Sequence, residues 1–527
     1  MLPWVVGVGF FLRLLVAILT ERALHSDEIF QYVEQGHRLT YGYGYIPWEY
    51  VYGIRNWLLP GAISLILSTC KFLGIDHPTQ YTQVVQAVAC AVSVSLIYFA
   101  YWIGRSIFSE SVGRIACVLT ALWYEVVIRA HSITPEIVGA YVLMGAVTCL
   151  VVKPSYKTAL LLGMCGAGTV ALRLQYAPAA VVVMAVAVLY GWQKRWAWKY
   201  VWAAMVGFLA IALFTGWLDY YTWGRAFASF TNNYLYNKTY GVSSFWEDDP
   251  VWYYPLQFGM YSGGIFWIAI ASSLFNKQLF SSNPFKKDSL KNVSLNNKPF
   301  NDNPLNNRST SWLLLTLLAA VILSHTLIGH KEHRFIFATV PMFLLLTAAT
   351  VDRFWRPKKV SLKVSRSKGL GLGGFLKQQN WGKGLLSFTV FATLAALVVT
   401  TFFLEPKTSY LRAYWYLHDQ AELTSVLSLN NGWHATGGYY YLHRDVPIYL
   451  EYHVEGIDQE TWARYISHIM CKHEVDPIPG FITVAQFDNL DIRASEQLPT
   501  ETLDIETQYP PQGGVTGVYT PNVTPRF

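Results

Sequence analysis

Twelve apolar runs, each 15 to 22 residues long, set the first limit on what this chain can become. About 20 mostly apolar residues make a helix that crosses a bilayer, where only a helix or a closed barrel satisfies its own backbone. The runs are 2–20, 57–75, 82–103, 114–128, 136–152, 157–172, 177–192, 199–216, 256–275, 312–329, 335–350 and 384–404. Composition agrees: 53% of residues are hydrophobic and 14% charged, against roughly 25% charged in soluble domains. Trp 20 and Tyr 34 are abundant, and both favour the membrane–water interface. A mainly α, polytopic membrane protein follows. The first run has no basic stretch before it and no small-residue cleavage site before Glu21-Arg22, so it is read as a span. Of six cysteines, none pairs at metal-ligand spacing, and all but Cys471 lie in or beside apolar runs. Packing is their expected role, without a disulfide framework.

Loop charge sorts the runs. Arg105 and Arg114, Lys153 and Lys157, and Lys194, Arg195 and Lys199 mark three short basic loops; 276–311 and 351–383 are longer ones. The formal net charge of +7 sits largely in such loops, which the positive-inside rule places in the cytoplasm and which is no sign of nucleic-acid binding. All five loops share that side if run 57–75 fails to cross. That run carries Pro60, Gly61 and Gly74, so it is expected to lie along the outer surface or to re-enter. About eleven spans remain, with the N-terminus inside. Residues 1–404 then form the transmembrane domain, whose outer regions are the first loop 21–81, then 129–135, 217–255 and 330–334. Residues 405–527, with strand-like alternation at 446–450, are expected to be a small extracytoplasmic α/β domain. The stretch 276–311 is rich in Asn, Ser, Lys and Pro and is expected to be a disordered cytoplasmic loop, since it buries too little to offset ordering. Its acceptor sequences at Asn292 and Asn307 would face the wrong side for glycosylation.

Two outer clusters carry chemistry. The first is His25-Ser26-Asp27-Glu28, directly after the first span. A carboxylate partly removed from water rises in pKa and suits a general base toward a sugar hydroxyl. The bland alternative is a helix start favoured by the dipole. Trp48, Glu49, Arg55 and the repeated Tyr-Gly of residues 41–45 lie in the same loop, and aromatic faces beside carboxylates suit a sugar. The second cluster is His330-Lys331-Glu332-His333-Arg334-Phe335, in a very short outer loop. Cations pinned there suit a lipid phosphate, or else are anchors at the interface. Arg129, His131, Arg173 and Arg225 fall on the same side; Arg173 is read as a phosphate or carboxylate contact. Arg13, inside the first span, is expected in a structural ion pair.

In this order the motifs resemble glycosyltransferase family 22, the Alg9-type polyprenyl-phosphate-mannose mannosyltransferases of the GT-C superfamily. His25–Glu28, with Pro47-Trp48-Glu49 and Gly53-Ile54-Arg55, is similar to the family's HPDE-type loop and its TWE…(G)IR pattern; Ser26 stands where the family usually has Pro. Asp219-Tyr220 through Asn237 and Gly241 to Trp252-Tyr253-Tyr254 resembles its long outer loop, and His330–Phe335 its HKExRF motif. The resemblance covers residues 1–350 and gives 405–527 no motif. It implies inverting transfer of mannose from a polyprenyl (dolichyl-type) phosphate mannose to a glycan or glycolipid, with no cofactor or metal. By position it implies Asp27 as base with Glu28 the alternative. His330, Lys331 and Arg334, with Arg173, would hold the donor phosphate. Trp48, Glu49, Arg55, Trp252 and Tyr253 would contact sugar or acceptor. The acceptor stays open among an N-glycan precursor, a GPI-type glycolipid and a bacterial surface glycan. The short N-terminus and absent retention signal lean toward a bacterial inner membrane, with the endoplasmic reticulum as the eukaryotic equivalent. Rival readings are a lipid-linked sugar flippase and a protein O-mannosyltransferase.

Overall fold

The computed structural model describes residues 1–20, 25–240, 248–274, 311–355, 372–402, 408–429, 437–451, 464–497 and 499. The expected disordered loop 276–311 and the most basic part of 351–383 lie almost wholly outside the described residues, as does Gly241.

Among the described residues five helices are long and apolar enough to cross a bilayer: Leu2–Thr20, Pro78–Ile107, Leu174–Trp192, Trp198–Trp223 and Lys383–Thr401. Glu110–Leu122 and Tyr124–His131 are long and apolar enough only when taken together, as a pair bent by 54° at the break between them. Pro135–Val151, Tyr156–Leu172, Ile265–Leu274 and Trp312–Thr326 are apolar but shorter, and Thr339–Trp355 is a further buried helix. Of about eleven expected spans, five are helices of spanning length and a sixth is the bent pair; the others are shorter helices among the described residues, and run 256–275 is divided between Tyr253–Tyr261 and Ile265–Leu274. Pro135–Val151 is short because it is an interior helix, buried along nearly its whole length, whose first turn carries Glu136 toward polar partners.

Trp198–Trp223 shows how the sequence marks its own depth. Trp198 and Trp202 are exposed at one end, and Trp217, Tyr220 and Tyr221 at the other. At 1.5 Å per residue these bands stand roughly 30 Å apart, the thickness of the hydrocarbon layer. The helix's other face meets Tyr156–Leu172 at close range. A Cβ on Gly163 would overlap the carbonyl oxygen of Ala204, and one on Gly207 that of Leu160.

Arg13 corrects its expected ion pair. Its guanidinium donates to the carbonyls of Gly9 at 2.8 Å and of Thr120 and Ala121 at 3.0 Å. The bend after Leu122 interrupts the ladder of that helix, so carbonyls rather than a carboxylate receive the charge.

Run 57–75 forms the helix Leu58–Phe72. It packs on Glu34–Tyr41 through a Thr40–Ser64 hydroxyl pair at 2.9 Å and bares Leu65 and Phe72. The same layer receives the C-terminal segment. There, β1 (Val426–Leu429), β2 (Ile448–Glu451), β3 (His468–Lys472), β4 (Phe481–Phe487) and β5 (Leu490–Ser495) form one sheet in the order β2-β1-β3-β5-β4. β1 runs parallel to β2 and β3, and β4–β5 is an antiparallel hairpin. Ile29, Phe30, Ile63 and Tyr81 share one apolar core with Leu411, Tyr414, Tyr440 and Ile492. The tie is Glu34, fully buried, whose carboxylate accepts from the backbone N–H groups of Tyr45 (2.7 Å), Tyr439 (3.2 Å) and Tyr440 (2.8 Å). Burial pushes its pKa up to about 7 against the pull of those three donors.

Candidate active site

The chain after the first span enters a π-helix, Glu28–Val33, whose wider turn swings successive side chains onto different faces. His25, Asp27, Phe30, Gln31 and Tyr32 face a cavity of about 770 Å³, while Glu28 does not line it. Glu28 is buried and accepts from Ser132 Oγ and the Ile133 backbone N–H, both at 2.8 Å, which fixes the turn before Pro135. The adjacent pair therefore divides: one carboxylate faces the cavity and the other braces the wall.

The opposite wall is the hairpin after Trp312–Thr326, with Gly329, His330, Glu332, Arg334 and Phe335. Arg334 reaches across it. Its Nη2 bonds Asp27 Oδ2 at 2.5 Å, Nη1 pairs with Glu136 Oε1 at 3.1 Å, and Nε donates to Glu332 Oε2 at 2.6 Å. Arg173 takes the other Glu136 oxygen at 3.1 Å and lies over the Phe335 ring at 4.5 Å. Burial alone would raise the Asp27 carboxyl; the charges of Arg334, His25 and Arg55 more than reverse this and hold it below the usual range. Glu332 likewise stays low, because bonds from His330 and Arg334 outweigh its burial. The hydrogen bond to Glu332 in turn lifts His330 above its ordinary value. Asp27 Oδ1 has no hydrogen bond among the described residues, so this carboxylate has one oxygen clamped and one open to the cavity.

Lys331 departs from its expected place. It is buried away from the cavity, with Nζ donating to the Asp249 and Gly329 carbonyls at 2.6 and 3.0 Å, and it ties the hairpin to segment 248–252. Trp252 and Tyr253 do not line the cavity either, and Trp252 is exposed. Trp48, Glu49 and Arg55 do line it, and of the Tyr-Gly repeat only Tyr45 does. Glu49 is buried and accepts from Gln31 Nε2 at 2.6 Å; burial lifts its pKa to about 7. Gly53, at φ +60°, turns the chain so that Arg55 faces inward, and Trp223 Nε1 holds the Arg55 carbonyl at 3.1 Å. Glu136 and Tyr32 were not among the expected site residues, and His25 was expected only as a member of the acidic cluster, with no role of its own. Glu136 opens an apolar run, and a lone charge there was the available signal.

His25, Asp27 and Glu332 bring ligand atoms within 4.8 Å of one another. Two of the three are carboxylates already bonded by Arg334, so a cation there would compete with that guanidinium.

A cavity walled by the loop after the first apolar helix and by a late hairpin, over a bundle of apolar helices, sits in a fold of the GT-C class. Two crystal structures of ArnT from Cupriavidus metallidurans share it. The undecaprenyl phosphate-bound form has a TM-score of 0.56 at 11% identity, covering 95% of this chain and 99% of that one. The apo form has a TM-score of 0.55 at 12% identity, covering 93% and 97%. The Alg9-like mannosyltransferase family matches residues 4–443, and the chain belongs to that family. Its sequence is 39% identical over 66 residues to GPI mannosyltransferase 3 of Yarrowia lipolytica, which is 12% of this chain and 13% of the relative. It is 35% identical over 66 residues to mannosyltransferase APTG1 of Arabidopsis thaliana, 12% of each chain. To GPI alpha-1,2-mannosyltransferase 3 of Xenopus laevis it is 32% identical over 71 residues, 14% and 13%. These alignments span about an eighth of the length of the curated relatives they match.

Proposed function

We propose that the chain transfers mannose, with inversion, from a polyprenyl (dolichyl-type) phosphate mannose to a GPI-type glycolipid on the non-cytoplasmic face of its membrane. Family membership supports the mannosyl donor, and the names of the relatives support the glycolipid acceptor and an α-1,2 product. Those relatives come from eukaryotes, so the membrane proposed is the endoplasmic reticulum; the earlier lean toward a bacterial membrane has no support in these comparisons.

The observation that carries the reading is Asp27, with Oδ2 fixed by Arg334 and Oδ1 left open on a cavity of about 770 Å³. Asp27 accepts the proton of the acceptor hydroxyl as that oxygen attacks the anomeric carbon. The lipid phosphate departs from the opposite face, where cations stabilise its developing charge. Phe30, Tyr45 and Trp48 offer apolar faces to the sugar ring. His330 stands on the hairpin wall as a donor toward the phosphate. Glu28, Lys331, Trp252 and Tyr253 take no direct part.

The test is transfer by the purified chain given polyprenyl-phosphate mannose and a panel of glycolipid acceptors, read by mass. A product heavier by one hexose is expected. Asp27→Asn should abolish it, a loss of about 10²-fold or more, while the protein still folds. Near-normal turnover by Asp27→Asn would remove Asp27 from the base role. Cargo moved across the membrane without a mass change would instead favour a flippase.

A further inference from the structure

Three side chains able to hold a metal ion meet where the first loop joins the C-terminal segment. His77 caps the start of the helix Pro78–Ser93, and His418 ends the helix Thr408–His418, with Asp419 next in the chain. One ring nitrogen of each histidine and a carboxylate oxygen of Asp419 all lie within 4.8 Å of one another. His77 Nε2 stands 3.2 Å from Asp419 Oδ1. Two ligand atoms of a tetrahedral zinc ion, each about 2.0–2.1 Å from the metal, are themselves roughly 3.3 Å apart.

Hydrogen bonds around the rings decide what each can offer. His418 Nδ1 lies 3.0 Å from the Leu442 carbonyl oxygen, which can only accept. Nδ1 therefore carries the proton and Nε2 the lone pair, and a carbonyl bond of this kind is how histidine ligands are commonly oriented. His77 is set the other way. Its Nδ1 accepts from the Thr79 backbone N–H at 3.3 Å, so its Nε2–H donates to Asp419. An ion on Nε2 moves that proton to Nδ1 and gives up the Thr79 bond, at a cost of about tenfold in affinity at most. Asp419 Oδ2 has no hydrogen bond among the described residues, and His77 is the one ion-pair partner of Asp419 there. This trio thus differs from His25, Asp27 and Glu332, whose carboxylates Arg334 already bonds. Arg444 is engaged by the His418 carbonyl at 3.3 Å, and Lys71 stands over the Tyr41 ring at 4.9 Å. His443 is paired with His37 at 3.0 Å and lies outside the group.

We propose that His77, His418 and Asp419 bind one zinc ion, with water in the fourth position, and that the ion clamps the start of Pro78–Ser93 to the C-terminal segment. Imidazoles with a carboxylate suit zinc, whereas magnesium and calcium take oxygen ligands. None of the three lines the large cavity, so the ion is a structural clamp and takes no part in transfer. It joins residues 342 positions apart, at the same junction that Glu34 ties, by a route that depends on metal supply.

The test uses the tag-free full chain in detergent, stripped with a chelator, with zinc alone as the probe. The wild type should take up one equivalent with about micromolar affinity or better and melt higher with zinc than without it; magnesium should give no such shift. His77→Gln and His418→Gln should each lose about a hundredfold of zinc affinity, and Asp419→Asn about tenfold. Cobalt in place of zinc should give the intense visible absorption of a four-coordinate ion in the wild type and not in His77→Gln. Should His418→Gln fail to fold, His77→Gln and Asp419→Asn decide, since those side chains are 36% and 61% exposed. Zinc affinity unchanged in both would overturn the site. So would equal protection by magnesium, or zinc binding lost in Asp27→Asn but kept in His77→Gln, which would put the ion in the large cavity. A metal-free chain that melts lower yet still transfers hexose supports a clamp; transfer abolished with no change in Tm overturns it, because the ion would then serve the reaction.

Discussion

Arg334 holds three carboxylates at once, and its removal would leave Asp27, Glu136 and Glu332 facing one another across a partly buried space. Breaking a buried pair by deleting one partner costs about 3–5 kcal/mol. Arg334→Ala is therefore expected to lower the unfolding temperature and the turnover together; an unchanged Tm with only a raised donor KM would show the guanidinium to be a phosphate ligand after all. Glu49 gives a pH prediction. Its folded pKa, about 7, lies above the ordinary 4.5, so the native state binds more protons than the unfolded chain between those values, and its contribution to stability falls as pH rises through that window. The difference in Tm between Glu49→Gln and wild type should thus shift in favour of the variant on going from pH 5 to pH 8; no change with pH would mean that Glu49 is not buried as an acid. Gly53→Ala should cost about 1 kcal/mol or more in strain, since its φ is +60° and a Cβ would stand 3.3 Å from Trp223 and Asn232, read as a lower Tm; an unchanged Tm would mean that the turn tolerates a side chain. At this scale the sequence showed residue types and order. It did not show partners: that Glu28 turns away and Lys331 is consumed by carbonyls depends on a π-turn and on segment 248–252, which are contacts made by folding.

Helices in this bundle meet through small residues where backbones approach. Gly163 and Gly207 lie in the contact between Tyr156–Leu172 and Trp198–Trp223, where any Cβ strikes backbone rather than a movable side chain. Without water to expel, close packing is what holds such helices together. Gly207→Val should separate the pair and cost about 1–3 kcal/mol or more, seen as a lower Tm or loss of monodisperse protein. An unaltered Tm would mean that the two helices are not packed so tightly. Apolar runs were the most legible feature of the chain, because span length is fixed by a solvent layer that the sequence must match. Their ends were less so: run 114–128 is a bent pair and Pro135–Val151 stops early, since tertiary partners such as Arg13 and Glu136 decide where a helix breaks.

Across the whole molecule, the sheet and the first loop after the span share a core, so the described residues of the C-terminal segment pack onto that loop rather than standing apart from it. Alternation at 446–450 announced strand β2, but nothing in the sequence announced Glu34 as the tie, because its partners are backbone N–H groups that any residues would supply. Glu34→Ala should loosen residues 437–442 and Tyr45 together, read as faster amide exchange at both; exchange unchanged at Tyr45 would mean that the two are not coupled. The tie also constrains how the protein is made. Its donors at Tyr439 and Tyr440 follow the carboxylate by 405 and 406 positions. At about 5–20 residues per second the ribosome needs roughly 20–80 s to deliver them. Until then water must serve the Glu34 carboxylate in place of the missing amides, and the loop cannot close its apolar core before the last part of the chain arrives.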